Sequence, residues 1–152
     1  MTTSSSTDAG GETPTLRAAL LAYGNARARS VGAARRTLDI GEGDARAMLH
    51  IADHPGIRPS QLREFLDITA AGVTALIDRL ERRDVLRRDA DADDRRVTRI
   101  TLTVDMTATP WVALTRFDTR FDEATALMDQ AAVGRFAASL DELTRATAGA
   151  PS

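Results

Sequence analysis

The stretch from Arg58 to Thr103 constrains the fold most, because its hydrophobic period changes once, from helical to alternating. Pro59 stands where a helix begins, a first-turn position at which a missing N–H is no loss. Leu62, Phe65 and Leu66 follow at the spacing of a buried helical face. Asp67-Ile68 reads as a tight turn, and Thr69 is placed to cap a second helix. On that helix Val73, Leu76, Ile77 and Leu80 fall at i, i+3, i+4 and i+7, one apolar stripe. Ala70, Ala71, Thr74, Ala75 and Asp78 are left on its other side. The period then changes. Val85-Leu86-Arg87-Arg88 reads as a strand, Ala90 to Asp94 as an acidic loop and Val97 to Leu102 as a second strand, together a β-hairpin. Two short helices joined by a tight turn and followed by a hairpin make a winged helix-turn-helix.

Helical patterns flank this unit. Leu16, Leu20, Tyr23, Arg27, Val31, Ala34 and Leu38 predict one long helix over residues 15–38. Asp39 to Gly43 break it. A short helix is expected from Asp44, with Met48, Leu49 and Ala52 on one face, stopped by His54-Pro55-Gly56. Residues 107–128 read as mostly helical, with Pro110 in the first turn or at a kink. A last helix carries Val133, Phe136, Ala137, Leu140 and Leu143. The expected architecture is mainly α with a small β-hairpin wing. Residues 15–147 form a single domain with its winged lobe over 44–103, between a disordered tail at 1–14, rich in Thr, Ser and Gly, and a short tail at 148–152.

Composition removes several classes of function. The chain has no Cys, which excludes disulfides, thiolate metal sites and thiol redox sensing. Its two histidines, His50 and His54, do not make a transition-metal site, so neither metal nor cofactor is expected. No apolar run approaches the roughly 20 residues of a membrane span, and the polar start from Met1 to Glu12 lacks an apolar signal core, so a cytoplasmic protein is expected. There is no Ser/His/Asp set, Gly-rich phosphate loop or carboxylate pair, and the chain is not expected to be an enzyme.

The winged unit points instead to double-stranded DNA, with the second helix entering the major groove. Thr69 and Thr74 are candidates for hydrogen bonds to bases or phosphates. Ala70 and Ala71 are small enough to let the helix sit deep and touch thymine methyls. Arg79, Arg82 and Arg83 end that helix within reach of phosphates. Arg95 and Arg96 lie at the end of the wing loop, suited to a minor groove, with Asp94 placed to orient Arg96 through a charge-assisted bond. Charge alone does not decide the matter. The net charge is −2, and between Arg58 and Arg99 ten arginines face nine acids. The basic residues must therefore be sorted onto one side, with Asp89, Asp91 and Asp93 turned back. The near-neutral segment keeps a second reading open: a winged-helix protein-interaction module with weak or no DNA binding.

Arg58 to Thr103 resembles the winged helix of the MarR family of bacterial transcription regulators. Leu62 and Leu66 match the apolar positions of its first motif helix. Val73, Thr74, Leu76, Ile77, Asp78, Arg79, Leu80 and Glu81 match its recognition helix. Asp94-x-Arg96 followed by Leu102-Thr103 matches its wing signature. The flanking helices extend the likeness to residues 15–147. Departures are Asp84 where a Gly is common between recognition helix and wing, Gly72 inside the recognition helix, and Pro110 where the family has a Gly soon after the Leu-Thr pair. The resemblance implies a homodimer whose helices at 15–38 and 107–147 interlock. It also implies a repressor acting on a palindromic operator, released by a small-molecule effector bound between the dimer helices and the winged lobe. Tyr23 and Trp111 are the candidates for lining that effector's pocket.

Overall fold

The structure is a computed structural model that describes residues 15–148, so the expectations for the two tails, at 1–14 and beyond Ala148, lie outside the described residues. The elements are α1 (Leu16–Leu38), α2 (Glu42–Asp53), α3 (Pro59–Leu66), α4 (Ala70–Arg82), β1 (Leu86–Ala90), β2 (Thr98–Leu102), α5 (Val112–Ala126) and α6 (Gln130–Ala148). This is a mainly helical fold with one two-stranded antiparallel hairpin.

Capping residues set most boundaries. Thr15 starts α1, its Oγ1 accepting from the Ala18 amide at 3.2 Å. Helices α1 and α3 end on Asp39 and Asp67, both left-handed, and α4 is followed by a third left-handed aspartate, Asp84. Two boundaries differ from the sequence expectation. Helix α2 starts at Glu42 rather than Asp44, because Gly41 supplies an extended N-cap and Asp44 then falls in the first turn, where the helix dipole favours a carboxylate. Helix α5 starts at Val112 rather than Thr107. Asp105 Oδ1 accepts from the Thr107 amide (2.8 Å) and hydroxyl (2.6 Å), which holds Thr107 in a turn and leaves Pro110 ahead of the helix.

The core lies inside the winged lobe. Met48 and Ile51 of α2, Leu62 and Leu66 of α3, and Val73, Leu76, Ile77 and Leu80 of α4 pack with Val85, Leu86 and Ile100 of the hairpin. Ala34 and Leu38 of α1 and Leu114 of α5 close it from the other side. Phe65, expected in this core, is 44% exposed. Leu62 and Leu66 occupy the inward face of the eight-residue helix α3, so Phe65 falls at its rim and stacks face to face on His50 of α2, centroids 3.6 Å apart.

The strands pair from Leu86↔Leu102 to Ala90↔Thr98. The Ile100 amide donates to the Ile57 carbonyl (2.9 Å), and the Gly56 amide donates to the Ile100 carbonyl (3.0 Å). Gly56 has φ +77°, a conformation in which a side chain is strained. The turn before α3 is thereby pinned to the wing. Outside the lobe, α1 lies on α5: Arg27 makes a bidentate pair with Asp118 (2.7 and 2.8 Å), and Tyr23 sits edge-on to Phe117 and Phe121. Helix α6 packs on α5 and buries none of its residues. No described helix is long and apolar enough to cross a membrane.

Candidate nucleic-acid interface

The outer side of α4 is small and exposed: Thr69, Ala70, Ala71, Thr74 and Ala75 all face away from the core. Thr69 caps the helix, its Oγ1 accepting from the Gly72 amide at 3.0 Å. Its own hydroxyl proton remains available to an acceptor such as a phosphate oxygen. The Thr74 hydroxyl donates back to the Ala70 carbonyl (3.0 Å), so what it offers outward is acceptor capacity. Gly72 has a structural reason. A Cβ there would lie 3.2 Å from Thr69 Oγ1, against the oxygen that makes the cap.

Arg79 is not brought together with these residues. Its guanidinium engages Asp44 of α2, with Nε 3.1 Å from Oδ2 and Nη2 on Oδ1. Asp44 is only 3% exposed. That hydrogen bond raises the Arg79 pKa further above its ordinary value. Arg82 donates to the Asp78 carbonyl of its own helix (3.1 Å). Arg83 reaches across to α1, donating to the carbonyls of Asp39 (2.9 Å) and Leu38 (3.2 Å). Sequence reasoning missed Asp44, because an aspartate in a helix first turn carries no signal of a partner 35 residues away.

In the hairpin, acids and arginines are sorted. Arg87 pairs with Asp89 (2.8 Å), and Arg88 bridges Asp78 and Glu81, tying β1 to α4. Arg99 pairs with Asp91 (2.5 Å) and donates to the Gly56 carbonyl (3.2 Å). Asp91 also organises the wing loop, its Oδ1 accepting from the amides of Asp93 (2.9 Å) and Asp94 (3.3 Å). The Asp93 amide first, and Arg99 next, hold the Asp91 carboxyl below its ordinary pKa. Asp94 accepts from the backbone amide of Arg96 at 3.0 Å, not from its guanidinium. Its effect on Arg96 therefore runs through the main chain. Arg95 and Arg96 are exposed at the tip, and neither is ion-paired among the described residues.

The two aromatic candidates are separate. Tyr23 packs on α5, whereas Trp111 lies half-buried against the lobe core. Neither lines the groove on α1 around Asn25, Arg29, Gly32 and Arg36, or the apolar groove where Leu16, Leu20 and Leu21 face Leu140 and Leu143 of α6.

A tight two-helix turn, a second helix with an exposed small-residue face, and a braced hairpin tipped by two unpaired arginines define a winged helix-turn-helix protein. The MarR family model matches residues 27–97, from the middle of α1 to the end of the wing loop. Over that stretch the chain is similar to the MarR family. Its fold is similar to those of three solved structures. Apo MarR from E. coli has a TM-score of 0.55 at 19% identity, over 87% of this chain and 98% of that one. S. aureus MepR bound to ethidium bromide has 0.57 at 18%, over 88% and 97%. The S. aureus MepR–DNA complex has 0.51 at 19%, over 85% and 98%. No curated protein matches the sequence.

Proposed function

We propose that this protein is a homodimeric transcription regulator that binds double-stranded DNA sequence-specifically, as a repressor on a palindromic operator, and that it has no enzymatic activity. The observation that carries the reading is the sorting of charge in the wing. Arg87, Arg88 and Arg99 are tied to acids and brace the hairpin, while Arg95 and Arg96 stand exposed at its tip without an ion pair among the described residues. Pairing thus leaves Arg95 and Arg96 as the wing's two arginines without an ion pair, beside the exposed and equally unpaired Asp93 and Asp94, where a wing meets a groove. Ala70, Ala71 and Thr74 on the exposed side of α4 give the major-groove surface, with Thr69 at its N-terminus. Arg79, committed to Asp44, contributes by holding α4 in place. A MepR structure solved with DNA supports the nucleic-acid partner.

The dimer reading is supported by the apolar surface outside the lobe. Leu16, Leu21, Phe121, Leu127, Phe136 and Leu143 are all exposed, and α6 is an amphipathic helix without a buried residue. A single chain leaves this surface in water, and a two-fold partner covers it. Release by a small molecule completes the reading. Its support is that MepR has been solved with ethidium bromide.

The test is fluorescence anisotropy of a duplex carrying the DNA upstream of the coding region, with a random duplex as competitor, over a salt series. Binding that falls steeply with salt and resists the competitor is the expected result. No binding even at low salt overturns the DNA reading and leaves the protein-contact module in its place.

A further inference from the structure

Arg83 makes a contact that neither the winged lobe nor a DNA surface requires. It is the C-cap of α4, yet its guanidinium spans to the end of α1, donating Nη1 to the Asp39 carbonyl (2.9 Å) and Nη2 to the Leu38 carbonyl (3.2 Å). The last carbonyls of a helix have no partner within it and carry its partial negative charge. A two-pronged cation suits them, and the planar fork of Arg fixes direction as well as distance.

Two arginines one turn apart thus hold α4 in different ways. Arg79 binds it to α2 through Asp44, a tie inside the winged lobe. Arg83 binds it to α1, the helix whose other half is locked to α5 by the Arg27–Asp118 pair and the Tyr23, Phe117 and Phe121 rings. The α1–α5 unit carries apolar surface, and α4 carries the exposed Ala70, Ala71 and Thr74 face. We infer that Arg83 is a positioning residue that fixes the angle between α1 and α4, and through it the spacing of the two recognition helices in a dimer. This rests on reading α4 as the DNA-facing helix. Half-sites on duplex DNA repeat at about 34 Å, so a small swing of α4 on α1 misplaces the second helix. Arg83 acts here through protein carbonyls and not through phosphate.

The strut is testable without DNA. The chain has no Cys, so Arg29→Cys on α1 and Ala71→Cys on α4 place two spin labels cleanly. Dilution with unlabelled protein removes distances between chains. Pulsed-dipolar spectroscopy should give one narrow distribution in the parent. Arg83→Ala should broaden it or shift it by several ångström while melting stays cooperative. Arg82→Ala, whose side chain bonds its own helix, should leave it unchanged. If Arg83→Ala does not fold, Arg83→Lys replaces it under the same criterion, keeping the charge but losing the fork. In the salt series on the upstream duplex, Arg83→Ala should lose about fivefold or more in affinity with an unchanged salt slope. A distance distribution superimposable on the parent overturns the inference, as does a shallower salt slope, which would make Arg83 a phosphate contact. Absence of DNA binding by the parent itself would overturn the function reading and leave the distance measurement to decide the strut.

Discussion

Asp39, Asp67 and Asp84 have φ of 51°, 53° and 53°, and each stands at the end of a helix. Non-glycine residues are strained in this region, with Asp and Asn among the better tolerated, and a carboxylate at a helix C-terminus opposes the dipole. Changing Asp67 to Asn keeps the local hydrogen-bonding capacity and removes the charge. It should stabilise the fold by about 0.3–1 kcal/mol, raising the melting temperature by roughly 1–4 °C. A lower melting temperature would contradict the dipole account. A second expectation concerns Thr69 and Gly72. Thr69→Ala should cost about 1 kcal/mol for the lost cap. Gly72→Ala should return little of the roughly 1 kcal/mol that Ala gains in a helix, because its Cβ presses on Thr69 Oγ1. In the Thr69→Ala background the full gain should appear, a coupling that a double-mutant cycle in urea measures. The Thr69 cap was legible in the sequence, since a Thr before an apolar helical stripe is a local signal. The left-handed turn at Asp84 was legible only as a departure from a Gly. The reason for Gly72 was not, because it is a contact between side-chain positions that one dimension does not show.

The winged unit was legible because each element announced itself by its own period. Strand and helix boundaries of α3, α4, β1 and β2 fell within a few residues of the pattern. Elements set by side-chain turns were less legible. The Asp105–Thr107 turn displaces the start of α5, and nothing in hydrophobic spacing signals it. The wing loop is ordered in the same way, by Asp91 accepting two loop amides and an arginine. Its folded pKa lies below the unfolded value, so the stability it gives the loop is present above about pH 4 and is lost as pH falls through the lower folded value. The amide resonances of Asp93 and Asp94 should therefore shift together in an acid titration, at a midpoint below that of an ordinary aspartate. Asp91→Asn should abolish that step. A midpoint at the ordinary value would mean that the loop is not held by this carboxylate.

At the scale of the molecule, two halves divide the work. The winged lobe contains nearly all of the core, while α1, α5 and α6 carry most of the exposed apolar surface. Segregation of this kind was legible from the apolar spacing at both ends of the chain. The tie that joins the halves was not, because Arg83 on α1 looks in the sequence like any arginine of a charged helix end, and so does Arg79 on Asp44 within the lobe. The same blindness applied to charge. Ten arginines and nine acids are nearly neutral as a count, and only their pairing reveals that, of the hairpin's five arginines, Arg95 and Arg96 at the tip are the two without an ion pair.

The central claim is that this tip meets DNA. It is tested most directly by the salt slope of duplex binding for the parent and for the Arg95→Ala, Arg96→Ala double variant. Four arginines are removed from a dimer, and each phosphate contact contributes about 0.9 to the slope. A slope shallower by about 2–4, weaker binding and an unchanged dimer are the predicted result. Equal slopes and equal affinities would contradict the account.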